Sequence, residues 1–238
     1  LFQGRLSREV MGRVVGYGKF TLLTNGAGML FHSTDRLMLG FMLGPASVAL
    51  YSVGAKLVQL TEVLVTAAGQ VYFVRYCANK DMKPGQQLLE AVSLLWALLL
   101  PMMAGLVVLL ALFPGLTGYI FKGYDPPLLL MALLLGGSLL LPLMRQFGSL
   151  LDSRGKPDRN FINILAVTVL NILLNALFIP FWGVYGAAMA TLLSTFLLCL
   201  FILYIVLFKY KIGPQRFLVE ILGWYKRLLG LVKDKVLS

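Results

Sequence analysis

The 238-residue chain carries 59% hydrophobic and 13% charged residues, with a net charge of +11 and a mean hydropathy of +0.84. A soluble domain has roughly 25% charged residues, so this chain has too few to cover a core in water, and lipid is the solvent its apolar surplus requires. Hydrocarbon leaves only helices or a closed barrel as spanning structures, and runs such as Leu94–Phe113 lack barrel alternation. The expected class is therefore all-α, a polytopic membrane bundle.

A span takes about 20 mostly apolar residues. In chain order the sequence predicts six, at 17–43, 46–73, 88–113, 127–151, 160–180 and 184–208. Residues 1–16 precede them as a cytoplasmic segment, and 209–238 follow as a basic amphipathic tail. Leu1-Phe2-Gln3-Gly4 reads either as a tag remnant or as natural sequence. Gly44-Pro45, Lys80–Gly85, Pro114-Gly115, Arg154–Pro157 and Pro180 separate the spans, whereas Pro101 and Pro142 fall inside spans and are expected to kink them.

Basic residues mark the cytoplasmic face. Of the 21 Lys and Arg, all but Lys122, Arg36 and Lys56 gather before the first span, after the second, around the fourth-to-fifth connection and after the sixth. Both termini are thereby expected inside, which an even number of spans permits. The same distribution points to anionic membrane lipids as partners rather than nucleic acid. After Pro214, Leu218, Ile221, Leu222, Tyr225, Leu228, Leu229, Val232 and Val236 recur at helical spacing, with Lys226, Arg227, Lys233 and Lys235 between them. That pattern predicts an amphipathic helix on the inner leaflet, or one packed on cytoplasmic loops.

Polar residues inside spans are costly and mark sites. In the first span Asn25, His32, Asp35 and Arg36 share a face; in the second, Ser52, Lys56, Gln59, Glu62, Thr66 and Gln70 repeat every three or four residues. Together these faces read as the wall of a hydrated cavity. Ser138, Arg145, Ser149 and Asp152 share a face of the fourth span, and Arg145 and Asp152 could equally sit at the cytoplasmic interface. Asn160, Asn163, Asn171 and Asn175 of the fifth fit interhelical glue, and Thr191, Ser194 and Thr195 lie in the sixth. Local neutralisation is expected between Asp35 and Arg36 and between Glu62 and Lys56. Cys77 and Cys199 read as packing residues. A single histidine excludes a multi-histidine metal site, and no nucleophile elbow or phosphate loop is recognisable. No metal, no cofactor and no enzymatic activity are expected.

Ser33-Thr34-Asp35-Arg36-Leu37-Met38-Leu39-Gly40, with Leu43-Gly44-Pro45 and Val48-Ala49-Leu50-Tyr51-Ser52-Val53, resembles the middle of bacterial polysaccharide flippases of O-antigen or teichoic-acid type. These belong to the multidrug/oligosaccharidyl-lipid/polysaccharide exporter superfamily. Asn171–Asn175 and Ile179–Thr191 resemble that family's junction between two late helices. The resemblance covers nearly the whole chain. It implies the C-terminal one of two lobes, with a missing N-terminal lobe or polysaccharide-assembly proteins as partners, in the bacterial cytoplasmic membrane.

The resemblance also implies alternating-access translocation of undecaprenyl-pyrophosphate-linked glycan. Arg36, Lys56 and Arg145 would then attract pyrophosphate and acidic sugars. Asn25, Gln59 and Gln70 would bind sugar hydroxyls. Asp35, Glu62 and His32 would orient the cations or couple transport to protons or sodium. The alternatives are a cation-coupled multidrug or metabolite antiporter of the same superfamily, and a non-transporting membrane scaffold for polysaccharide assembly.

Overall fold

A computed structural model describes residues 8–79, 81–112, 119 and 127–236. Among the described residues every regular element is helical: α1 (Arg8–Leu43), α2 (Pro45–Ala78), α3 (Pro84–Leu112), α4 (Leu128–Ser138), α5 (Leu141–Ser153), α6 (Pro157–Tyr204, continued by a π turn at Ile205–Lys209) and α7 (Pro214–Val236). Proline opens α2, α3, α6 and α7, where its missing N–H leaves no intrahelical bond unmade.

Among the described residues three stretches are long and apolar enough to cross a membrane: Pro84–Val108, Leu128–Ser153 and Pro157–Lys209. The bent α2 makes a fourth if its two parts are one span, with a 47° change of direction between Lys56 and Val58. The 53-residue stretch is two limbs, because Gly183 turns the chain at φ 56°, ψ −130°. Only glycine reaches that conformation without strain. The fifth span thus ends three residues beyond Pro180, where the sequence placed its close. The molecule is a multi-pass helical membrane protein. By the same measure α1 is too polar to qualify, which follows from the face it devotes to Asn25, His32, Asp35 and Arg36.

Pro101 stays inside α3. Pro142 lies inside the Leu128–Ser153 stretch, as expected, in the first turn of α5 just after a turn at Leu139-Leu140 that interrupts the helix. Trp96 Nε1 donates to the Leu139 carbonyl at 2.9 Å, while the Leu140 carbonyl accepts from Met144 N at 3.4 Å and lies 3.5 Å from Cys199 Sγ. The break is therefore satisfied from α3 and from within α5, as backbone in hydrocarbon must be.

The helix ends sort into two groups. Tyr17 Oη donates to the Asp152 carbonyl at 3.2 Å. Arg154 Nη2 donates to the Met82 carbonyl and to Gln87 Oε1, both at 2.8 Å. The start of α1, the α2–α3 connection and the α5–α6 connection thus share one end. Gly44 and Gly183 mark the other, where Leu43 approaches Gly183.

α7 is amphipathic, and one of its faces packs on the bundle. Phe217 and Ile221 are buried against the bundle, with the Phe217 ring 5.7 Å from that of Trp96 in α3. Leu218 and Leu222 remain 65% and 61% exposed. The main core is built from Tyr72, Tyr76, Leu88, Val92, Phe147, Leu150, Cys199 and Ile202. Of the two free thiols, Cys199 fits the packing role expected of it, whereas Cys77 is exposed. A second core of Leu39, Tyr51, Leu130, Ile179 and Ala187 underlies the buried carboxylate described next.

Candidate functional site

Asp35 is 6% exposed, in the middle of the bundle. Its Oδ2 accepts from Thr191 Oγ1 at 2.6 Å and from the Tyr51 hydroxyl, and its Oδ1 accepts from Asn175 Nδ2 at 2.7 Å. The donors come from α2 and from both limbs of α6. A second layer orients them: Asn171 Nδ2 donates to Thr191 Oγ1 at 2.9 Å, and Asn171 Oδ1 accepts from Asn175 Nδ2 at 3.0 Å. Placing an acidic group at mid-membrane costs about 2.5–3.5 kcal/mol. A hydrogen bond to a charged group returns about 1.5–3 kcal/mol, so the three bonds offset much of the cost of burying this carboxyl group.

This corrects two expectations. Asp35 is not neutralised by Arg36, which instead donates from Nη2 to the His32 carbonyl at 3.2 Å. Nor are Asn171 and Asn175 generic glue; they serve one carboxylate. Asn175 Oδ1 is itself buried without a hydrogen-bond partner. The oxygens converging here are of the hard, neutral-plus-carboxylate type that suits a proton or a small monovalent cation. Among the described residues no group of three His, Cys, Asp or Glu side chains forms a metal site.

His32, one turn from Asp35, joins three helices. Its Nδ1 lies 3.6 Å from Glu62 Oε1 of α2, and its Nε2 lies 3.4 Å from Arg145 Nη2 of α5. Arginine can only donate, so Nε2 accepts and the ring proton sits on Nδ1, facing Glu62. Glu62 is therefore engaged with His32 and not, as expected, with Lys56. Arg145 is half-buried in this relay.

Around these groups lie three cavities. The first, about 150 Å³, is lined by His32, Asp35, Arg36, Tyr51, Gln59 and Glu62 among others. The second, about 720 Å³, opens between α1, α5 and α6 and includes Asn25, His32 and Arg145. The third, about 310 Å³, includes Thr66, Gln70 and Arg145. His32 borders the first two, and Arg145 borders the second and third. Of the two polar faces, His32, Asp35 and Arg36 of α1 meet Gln59 and Glu62 of α2 in the first cavity, whereas Asn25 lines the second, Thr66 and Gln70 line the third, and Ser52 and the exposed Lys56 line none of the three.

Tyr51, Asn171, Asn175 and Thr191 are the residues of this network that sequence reasoning did not assign to a site, the asparagines having been read as interhelical glue. Thr191 could have been found from its place on a polar, small-residue stretch. Tyr51 gives no such signal, since a tyrosine among Val, Ala and Leu reads as packing.

Residues 2–113 match the sequence model of a family described as polysaccharide biosynthesis protein. A curated relative, the probable flippase AglR of Haloferax volcanii, is 28% identical over 200 residues, covering 79% of this chain and 40% of the relative. A transporter of the MOP superfamily from Pyrococcus furiosus, described as having a binding pocket of reverse polarity, superposes with a TM-score of 0.66 at 23% identity; 88% of this chain and 50% of that one are covered. An outward-facing multidrug-resistance transporter of the MATE family superposes with a TM-score of 0.67 at 20% identity, again over 88% and 50%. The chain spans less than half of the curated relative and about half of these structures, as one lobe would. The resemblance read from the residues thus holds in the family match, in a flippase relative and in the fold.

Proposed function

We propose that this chain is one lobe of a flippase that moves lipid-linked glycan across the cytoplasmic membrane by alternating access. The observation that carries the reading is the pairing of a buried, hydrogen-bonded carboxyl group at Asp35 with arginine-bearing cavities directly beside it. Arg36 and Arg145 offer forked donors to a pyrophosphate, and Asn25, Gln59 and Gln70 offer hydrogen bonds to hydroxyls. Lys56, outside the cavities, acts only as a long-range attractant. The match to a polysaccharide-biosynthesis family and to a probable flippase supports a glycan cargo over an organic cation.

Asp35 is the coupling group. Binding a proton or a monovalent cation there changes the charge at the point where α1, α2 and both limbs of α6 meet, and that change biases two packings of the lobe. The second lobe closes the cavities from the other side, and the basic end of the bundle, with both termini, faces the cytoplasm.

The test is reconstitution of the protein carrying this lobe into proteoliposomes with a pyrophosphate-linked oligosaccharide lipid, following leaflet exchange by glycan-binding reagent. Arg36→Ala and Asp35→Asn should each slow exchange at least about tenfold. Transport of organic cations with no glycan exchange would overturn the reading in favour of a drug antiporter, and loss of neither activity in the two variants would exclude the assigned site.

A further inference from the structure

The cavity between α1, α5 and α6 holds more than the cation already assigned. At about 720 Å³ it is in the size range of small-molecule sites. Arg145, Ser149 and Asp152 line it from one face of α5, spaced four and three residues apart. Its two ends carry opposite charge. Arg145 is steadied by His32 at 3.4 Å. Two turns away, about 10 Å along the helix, Asp152 Oδ2 accepts from Asn160 Nδ2 at 2.8 Å. Gly148 makes that bond possible, since a Cβ there would stand 2.7 Å from Asn160 Oδ1. The Asp152 carboxylate is thus held with acceptor capacity left for hydroxyls, and the apolar side chains of Met29 and Met144 line the same space.

A ligand that fits both ends is anionic at one, rich in hydroxyls and uncharged at the other, about 10 Å long, with C–H faces between. We propose that this cavity is a phospho-sugar subsite: Arg145 takes the phosphate, Asp152, Asn160 and Ser149 take the hydroxyls of the adjoining sugar, and Asp152 rejects a uronate there. The proposal rests on the glycan-flippase reading and deepens it, assigning the sugar next to the phosphate to a neutral or amino class. Rejection follows from like charge brought into a partly desolvated site, the repulsive element specificity requires.

The experiment is calorimetric binding to the purified, detergent-solubilised protein with three probes: glucose 1-phosphate, glucuronic acid 1-phosphate and inorganic phosphate. Glucose 1-phosphate should bind at least about tenfold more tightly than glucuronic acid 1-phosphate. Asp152→Asn, which can keep the bond from Asn160, should erase that preference, and Ser149→Asp should sharpen it. Arg145→Gln should weaken all three probes about equally. Equal affinity of the wild type for the two sugar phosphates overturns the subsite, as does a preference that survives Asp152→Asn. Leaflet exchange of lipid-linked glycan separates the two claims. Exchange without sugar-phosphate discrimination overturns the subsite and leaves the flippase reading standing. Discrimination without exchange supports the subsite and overturns the flippase reading.

Discussion

Thr191 donates a 2.6 Å hydrogen bond to Asp35 across 156 positions of sequence. That bond ties the second limb of α6 to α1 and makes the buried charge a joint property of elements from both ends of the chain. Thr191→Val keeps the volume and removes the donor. It also leaves Asn171 Nδ2 without its acceptor. Loss of a buried donor of this kind costs about 1–3 kcal/mol, and the thermal midpoint in detergent should fall accordingly. An unchanged midpoint would mean the carboxylate finds another partner.

The relay Glu62–His32–Arg145 predicts coupling between side chains on α2, α1 and α5. In a double-mutant cycle, His32→Ala and Arg145→Gln should be non-additive in unfolding free energy by about 0.5–3 kcal/mol, the range for residues in contact. Additivity within error would show that the contact carries no energy.

Gly183 turns α6 back on itself at a positive φ. Gly183→Ala forces a Cβ into a conformation costing about 1–3 kcal/mol. The expected readout is a lowered melting midpoint. Gly137→Ala is the matched control, because the nearest contact at that position is 3.9 Å away and its φ is not positive.

α7 should show a one-sided response. Phe217 is buried beside Trp96 and Leu218 is exposed. Phe217→Ala should destabilise by about 3–5 kcal/mol, while Leu218→Ala should stay within about 0.5 kcal/mol, both followed by thermal unfolding in detergent. Comparable losses at the two positions would show that the outward face is also packed.

The helices and the faces of α1 and α2 were legible because they are local. Apolar runs of about 20 residues and a three-or-four-residue polar repeat depend only on helical geometry. The turn at Leu139-Leu140 was not legible, since nothing in Leu139-Leu140-Leu141-Pro142 distinguishes a break from a kink. What decides it is whether a partner exists for the Leu139 carbonyl, and that is Trp96 on another helix. The end of the fifth span falls three residues later than the sequence suggests for a related reason: Pro180 is the obvious stop, but the helix continues until Gly183 can leave it cheaply.

Local charge pairing was the least reliable guide. Asp35 next to Arg36 and Glu62 six residues from Lys56 invited pairing along the chain, yet neighbouring residues on a helix point in different directions. Asp35 turns to Tyr51, Asn175 and Thr191, while Arg36 turns back along α1 to the His32 carbonyl at the rim of the first cavity. The sequence by itself determined that this is a multi-pass helical membrane protein with polar faces on its first two helices, because solvent partition and helical periodicity are written in residue order. Only the tertiary structure decided which charge is buried, which cations reach a cavity, and that Arg145 and Asp152 face one space with Asn25. Those facts depend on contacts between helices far apart in sequence, which no local pattern encodes.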